Sequence, residues 1–331
     1  MWSLQDLPML RFDVRRLEWG RYRVYLLLIL VFAVMAVLAP RFLTADNQIA
    51  LLKKASLHVL PAIGFTLVLT LGQLDLSFAS VMTLGGMLTI GFQPRFGWFG
   101  GMAAAVVCGL GIGLFNGLLV AKARVTSFIV TLGTLTIVQG VVNIYSGGNT
   151  LNVSDYTLFQ WLDQRSLFAP PIIIALAVAI LFEIVLQRTT FGRNLQLIGG
   201  SQLAAWHSGV RTDALTIAAF ALSGVLAGLG GSIVAMRSIS ATPKMGNESL
   251  MLVIAAVIVG GTSMKGGRGT VMGSVVAVLM LCAITNGLSL RGLGLETMLI
   301  VNGFVLAVLV LYDAFAISRA ELTKGKRLDL D

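Results

Sequence analysis

Charge is scarce in this chain: Asp, Glu, Lys and Arg make up 12% of its 331 residues, against 56% hydrophobic. A soluble domain carries about 25% charged residues, so most of this surface is not meant for water, and the mean hydropathy of +0.88 points to lipid. Cysteine is almost absent. The only two, Cys108 and Cys282, lie inside apolar runs, which leaves no support for a disulfide framework or a zinc site. There are two histidines, His58 and His207, and no H-E-x-x-H, G-x-S-x-G or acid pair on one helix, so hydrolytic chemistry within the membrane is unsupported. The alternating segments of about ten residues that mark a membrane β-barrel are missing as well. Glycine, by contrast, occurs 37 times, as expected where membrane helices pack backbone to backbone. The composition therefore predicts an all-α, polytopic membrane helical bundle. The net charge of +9 is explained by basic loops facing the cytoplasm rather than by nucleic-acid binding.

Apolar runs fall at about 24–40, 57–72, 78–93, 99–120, 128–145, 171–187, 214–235, 250–261, 270–288 and 297–315, which gives about ten transmembrane helices. Several, notably 250–261, are shorter than the ~20 residues of a straight crossing, and are expected to be tilted, broken or re-entrant. The first run follows arginines at 11, 15, 16, 21 and 23. It is long enough to span and has no convincing A-x-A site, so it reads as an uncleaved helix rather than a signal peptide. With the N-terminus inside, 16 of the 24 Lys and Arg fall on the cytoplasmic side, which places both termini in the cytoplasm. The expected organisation is a basic cytoplasmic segment 1–23, a membrane domain 24–317 containing a long cytoplasmic loop 188–213, and a cytoplasmic tail 318–331. The outer loop 146–171, with its aromatics, suits an interfacial segment or a surface for an outside partner.

The inner glycine-rich stretch GGTSMKGGRG, 260–269, has the G-x-x-x-x-G spacing of a phosphate loop. Gly267 and Arg268 stand where Lys and Ser/Thr are needed, and no parallel sheet surrounds them, so it reads as a tight turn between helices. In TLGQLDLSFASVMTLGG (70–86), Asp75 lies between two apolar runs. A carboxylate at mid-bilayer costs roughly 2.5–3.5 kcal/mol. Asp75 or Ser77 is expected to cap the helix starting at Phe78; the alternative is that Asp75, with Gln73 beside it, belongs to a gate or pathway. Asn116, Gln139, Asn143, Ser223, Asn286 and Asn302 lie within spans, where hydrogen bonds between helices are the first expectation for each. Uncharged amides also suit the pathway of a neutral polyhydroxylated solute. Glu183 and Asp313 are the only other acids near inner ends of spans, which counts against ion-coupled transport. In LAAWHSGV (203–210), Ala204 and Ala205 followed by Gly209 predict a short helix with an abrupt stop, a shape that lies in a partner's groove.

Taken together, these strings resemble the permease subunits of ribose-type sugar ABC importers, a family with relatives for other monosaccharides and for autoinducer-2. TLGQLDLSFAS is similar to that family's GGIDLSVGS, SFIVTLGTLTIVQG (127–140) to its PFIVTLGT…RG, TTFGRNLQLIGGSQLAAWHSGV (189–210) to its T-x-x-GR…IGGN…AA…SGI, and IAAVIVGGTSMKGGRG onward (254–278) to its IAAV-x-x-GGTS-x-x-GG-x-G. The resemblance covers about residues 40–315. It implies that Gly192, Arg193, Gly199, Gly200, Ala204, Ala205 and Gly209 form the loop coupled to a cytoplasmic ABC ATPase. It also implies a second permease copy or paralogue, a periplasmic sugar-binding protein, and a place in the bacterial inner membrane. This chain would bind no cofactor itself, ATP and Mg being held by the partner ATPase. Departures stand at Gln73, Phe78, Ala79, Ser127, Gln139, Ser201, Leu250 and Leu252, so a ribose preference is not carried over. A branched-chain amino acid or nucleoside permease of the same superfamily, or a self-contained carrier, are the other readings.

Overall fold

The computed structural model describes residues 14–162 and 166–294, with positions 297, 300, 301, 303, 304 and 307. Apart from those six positions, the expected crossing 297–315 lies outside the described residues, as do Asn302, Asp313, residues 1–13 of the basic segment and the tail 318–331. Within the described residues the chain forms eleven helices: α1 (Val14–Leu38), α2 (Ala45–Thr70), α3 (Phe78–Ala121), α4 (Ser127–Ser146), α5 (Thr157–Leu162), α6 (Pro170–Arg188), α7 (Thr190–Gly200), α8 (Gln202–His207), α9 (Thr212–Ser238), α10 (Met245–Val259) and α11 (Val271–Leu290). Two-residue strands, β1 (Leu151–Asn152) and β2 (Ser240–Ala241), pair antiparallel, with Leu151 opposite Ala241. Six of the helices (α2, α3, α4, α6, α9 and α11) are long and apolar enough to cross a membrane. The protein is a polytopic helical membrane protein.

The 44 residues of α3 are two antiparallel segments. A Cβ at Gly101 would stand 2.8 Å from Thr89 Cα, whereas twelve residues of continuous helix span ~18 Å. The reversal is made at Pro94 and at Gly97, whose φ of 69° and ψ of −179° no L side chain adopts readily. The two runs expected at 78–93 and 99–120 are these segments. Both lie against α9. The first runs in the same direction, with Thr89 meeting Ser232 at 2.7 Å. The second runs the other way, Gly109 meeting Gly224 so closely that a Cβ on Gly224 would overlap the Gly109 carbonyl. Lipid supplies no hydrophobic force between helices, so close backbone packing of this kind is what holds them together.

Besides α1, which begins at Val14 rather than near residue 24, two boundaries differ from expectation. The α2 helix begins at Ala45 rather than near residue 57, and so takes Lys53 and Lys54 into the helix. Apolarity alone hides this start, because the polar residues of its first turns are satisfied across the bundle. Lys54 Nζ lies 3.4 Å from Thr285 Oγ1. Asn47 and Asn286 exchange two amide hydrogen bonds, of 2.9 and 3.0 Å. Asn286→Leu leaves Asn47 Oδ1 unpaired, its Nδ2 keeping only the Phe42 carbonyl (2.8 Å), and should lower stability by about 1 kcal/mol, while the Asn47→Leu/Asn286→Leu pair should recover part of that loss. Thermal unfolding of the purified variants in detergent checks it; equal midpoints for the single variant and the wild type would refute the pairing. The second difference is α10, which starts at Met245 instead of about 250 and has 15 residues, too few for a perpendicular crossing.

One end of the bundle carries α7, α8 and the loop between α10 and α11. The opposite end carries the β1–β2 ribbon, where Gln93 Oε1 accepts the Ser154 amide (2.9 Å) and its Nε2 donates to the Asp155 carbonyl (2.8 Å). There the Thr157 amide and hydroxyl, at 2.9 Å each, hold the Asp155 carboxyl below its ordinary pKa.

Candidate functional site

The loop 188–213 folds as two short helices. Thr189 caps α7 by accepting the Gly192 amide, and Ser201 caps α8 by accepting that of Ala204. The stop after α8 is a Schellman turn: the Gly209 amide donates to Trp206 O (3.0 Å) and that of Val210 to Ala205 O (3.1 Å). Gly209 has φ +80° with open space where a Cβ would be, so glycine suits the backbone there and leaves the outer side clear. Ala205 is 3% exposed and packs on the bundle, while Leu203 and Trp206 are 68% and 62% exposed. Ala204 is exposed with them. The two alanines of the expected short helix thus part company, Ala205 seating α8 and Ala204 lying between two large apolar side chains in the open. A cavity of about 360 Å³ opens beside this turn, lined among others by Asn194, Gly209, Arg211 and Leu215. Arg188, Arg193, Arg211 and Arg268 are exposed at this end, and Asp213 is engaged by Lys122 (3.0 Å) and Arg124 (3.4 Å).

A junction of glycines joins α7 to the interior. A Cβ on Gly199 would overlap the Thr70 carbonyl oxygen, and one on Gly266 would lie 2.6 Å from Gly72 N and 2.8 Å from Gly199 O. The Gly267 amide donates to Thr70 O at 2.9 Å. The ends of α2 and α7 and the loop 260–269 therefore meet backbone to backbone, with the Thr70 side chain against Gly269. Gly200, next to Gly199, faces open space, and Gly192 packs its Cα against the end of α6 at Leu186. Arg193 donates to Arg188 O at 3.4 Å. The α6 helix also grips α11, since Glu183 Oε2 accepts the Val271 and Met272 amides (2.8 and 3.1 Å) and Gln187 donates to Gly269 O (3.0 Å). The sequence had shown Glu183 only as an acid near a span end; in the structure it serves as the cap of another helix, a role that charge placement alone does not reveal.

Beyond Thr70 the chain enters the bundle as a non-helical segment, 71–77, that turns at Leu71 and Gly72. Asp75 is 2% exposed. Its Oδ1 accepts the Ser77 amide (3.0 Å) and hydroxyl (2.5 Å), and its Oδ2 accepts the Ser223 hydroxyl of α9 (2.8 Å). Ser77 Oγ in turn accepts from Asn116 Nδ2 (2.9 Å), whose Oδ1 accepts from Thr134 of α4 (2.6 Å). Ser77 makes no side-chain cap on α3; Asp75 holds it at the head of that helix, and a buried chain of hydrogen bonds runs from Thr134 of α4 through Asn116 in the second segment of α3, Ser77 and Asp75 to α9. Leu74 is tied to α4 as well, its amide donating to Ser127 Oγ (3.0 Å). Gln73 is partly buried on the same segment. Asn116 and Ser223 thus bond between helices, as Asn286 does. Gln139 Nε2 donates to Pro243 O (2.7 Å) and lies 3.4 Å from Asn143 Oδ1; Asn143 is exposed.

This bundle of close-packed helices, with a polar chain inside and a helical hook at one end, can be compared with known proteins. The family described as "Branched-chain amino acid transport system / permease component" matches residues 47–311. The chain belongs to that family. The permease is 33% identical to the ribose import permease protein RbsC of Bacillus subtilis over 302 residues, 87% of this chain and 91% of the relative. It is 33% identical to RbsC of Escherichia coli K12, covering 86% and 91%, and 32% identical to the L-arabinose transport system permease protein AraH of the same strain, covering 90% and 91%. No solved structure matches it. The permease is a multi-pass membrane protein and a transport subunit, not an enzyme. It binds no cofactor, and the ATPase of such a transporter is a separate subunit.

Sequence reasoning missed three things in the permease. The α7 helix is masked by its glycines. Lys54 is hidden within a polar helix start. Asn247 and Glu248 stand on an open face of α10, with Lys244 exposed just before the helix, which only the placement of that helix discloses.

Proposed function

We propose that this chain is the channel-forming subunit of an ABC importer for a monosaccharide-type solute. It would cross the bacterial inner membrane ten times with both termini in the cytoplasm, working with a second permease copy or paralogue, a cytoplasmic ATPase and a periplasmic sugar-binding protein. Counting α1 and α10 with the six long helices, taking the two segments of α3 separately and adding the run 297–315 gives ten crossings, and the bundle end carrying α7 and α8 is the one rich in exposed Arg, which favours the cytoplasm. The observation that carries the solute class is the likeness, over nearly nine tenths of the chain, to permeases for ribose and for arabinose.

The mechanism follows from the joints. ATP binding by the partner moves α8, held by its exposed Leu203 and Trp206. The Gly199–Thr70–Gly267 junction passes that movement to α2 and to the loop 260–269, and Glu183 passes it to α11. Elements that meet backbone to backbone cannot slide independently, so the halves tilt and the path opens to one side at a time. Selection rests with the binding protein.

The test is uptake by proteoliposomes holding the permease with its ATPase and binding protein, using labelled D-ribose, L-arabinose and L-leucine. ATP-dependent entry of a sugar is expected. The family's description favours one second reading, a branched-chain amino acid importer, and entry of leucine alone would establish it. Flux driven by an ion gradient with no ATPase present would overturn both.

A further inference from the structure

The first turn of α10 lies inside the bundle. The Gly246 amide donates to Thr83 Oγ1 at 3.1 Å, and Thr83 is ~8 Å past the start of α3 at 1.5 Å per residue. Pro243 O is hydrogen-bonded to Gln139, which stands ~18 Å along α4 from Ser127 and ~10 Å short of Ser146. After β2 the chain therefore turns back into the depth of the span before α10 begins. At this depth Gly246 and Ser249 are buried, whereas Lys244, Asn247, Glu248 and Met251 are exposed. Those four sit at i, i+3, i+4 and i+7, so they form one stripe on one face. A stripe with an ammonium, an amide and a carboxylate does not face hydrocarbon in a stable membrane protein; it faces water or another polar surface. Beside it, Gln139 Oε1 is buried without a hydrogen-bond partner among the described residues, and Asn143 is exposed one turn further along α4.

We infer that the first turn of α10 and the facing stretch of α4 form the wall of a water-filled solute passage, in which Glu248, Asn247, Asn143 and Gln139 contact a neutral polyhydroxylated solute. The chemistry favours hydroxyl groups. A carboxylate accepts from two adjacent hydroxyls, the amides donate and accept, and Lys244 balances Glu248 so that the wall carries no net charge to attract an ion. This assignment deepens the importer reading and rests on it for the identity of the solute, but not for the presence of water.

The experiment has two arms. On a Cys108→Ser/Cys282→Ala background, Asn247→Cys, Glu248→Cys and Asn143→Cys are each treated with a membrane-impermeant methanethiosulfonate in proteoliposomes holding the assembled importer, with Val37→Cys, 82% exposed on α1, as the lipid-facing control. Labelling at 247, 248 and 143 but not at 37 is expected. In the second arm, Glu248→Gln is expected to reduce ATP-dependent entry of labelled D-ribose or L-arabinose at least tenfold through a raised KM, while the ATPase still co-purifies with the variant. If the wild-type assembly imports sugar but positions 247 and 248 resist the reagent, a second permease copy covers the stripe and the passage is elsewhere. Labelling with unchanged uptake by Glu248→Gln overturns the solute contact. If the wild type imports neither sugar, the importer reading fails separately, and labelling still decides whether the stripe lines water.

Discussion

Replacing Gly209 by tryptophan stops sugar entry while leaving a folded, membrane-inserted permease. The backbone cost is modest: a non-glycine residue at φ +80° loses about 1 kcal/mol, and nothing in the bundle obstructs the new Cβ. The surface cost is large. The indole either fills the cavity beside Arg211 and Leu215 or stands out from the Schellman turn, and in both cases takes the space a partner's surface needs against α8. The expected result is ATP hydrolysis without transport, uptake falling at least tenfold, measured in parallel with hydrolysis on the reconstituted assembly. Neighbouring glycines provide the controls. Gly200→Ala adds a methyl in open space and should transport normally, whereas Gly199→Ala drives a Cβ into the Thr70 carbonyl and should fail by opening the junction itself. Full uptake by Gly209→Trp would remove α8 from the docking surface.

The parts legible in the sequence were those that answer to the solvent or to the local chain. Lipid demands apolar runs, so the crossings through α4, α6, α9 and α11 were visible, as was the break that turns α3 back on itself. Asp75 and Ser77 before such a run signalled a helix head, and there Asp75 holds Ser77, which makes no side-chain cap of its own. An Ala-Ala helix stopped by Gly209 was readable because capping is local. The remainder depends on partners far apart in the chain. Nothing near Lys54 announces Thr285, nothing near Glu183 announces the amides of Val271 and Met272, and nothing near Gly199 announces Thr70 and Gly267. The open stripe of α10 was hidden for a similar reason: Glu248 reads as one charge at a loop edge until Gly246 is found against Thr83. A periodic pattern can say that a helix has a polar face, but not how deep in the membrane that face begins.

Depth is also what makes the Asp75 chain sensitive to substitution. Asp75→Ala removes the acceptor for three donors at once, the Ser77 amide and the hydroxyls of Ser77 and Ser223, in a place where each is buried. A buried donor left unpaired costs about 1–3 kcal/mol, so the variant should lose about 3–5 kcal/mol even after some hydroxyls turn to new partners. Asp75→Asn keeps the shape and one acceptor oxygen, and its new amide donor is met if the Ser223 hydroxyl turns to accept, which a hydroxyl with two lone pairs allows. That variant should lose only about 1 kcal/mol. Asn116→Leu should fall between them, since it frees Thr134 and one lone pair of Ser77 without touching α9. Thermal unfolding of the three purified variants, followed by size-exclusion fluorescence, gives the order Ala, Leu, Asn from least to most stable. A midpoint for Asp75→Ala equal to the wild type would mean that the carboxyl does not bind α3 to α9, and the small-residue seam of Gly85, Gly109, Gly224 and Gly228 would then have to hold those helices without it.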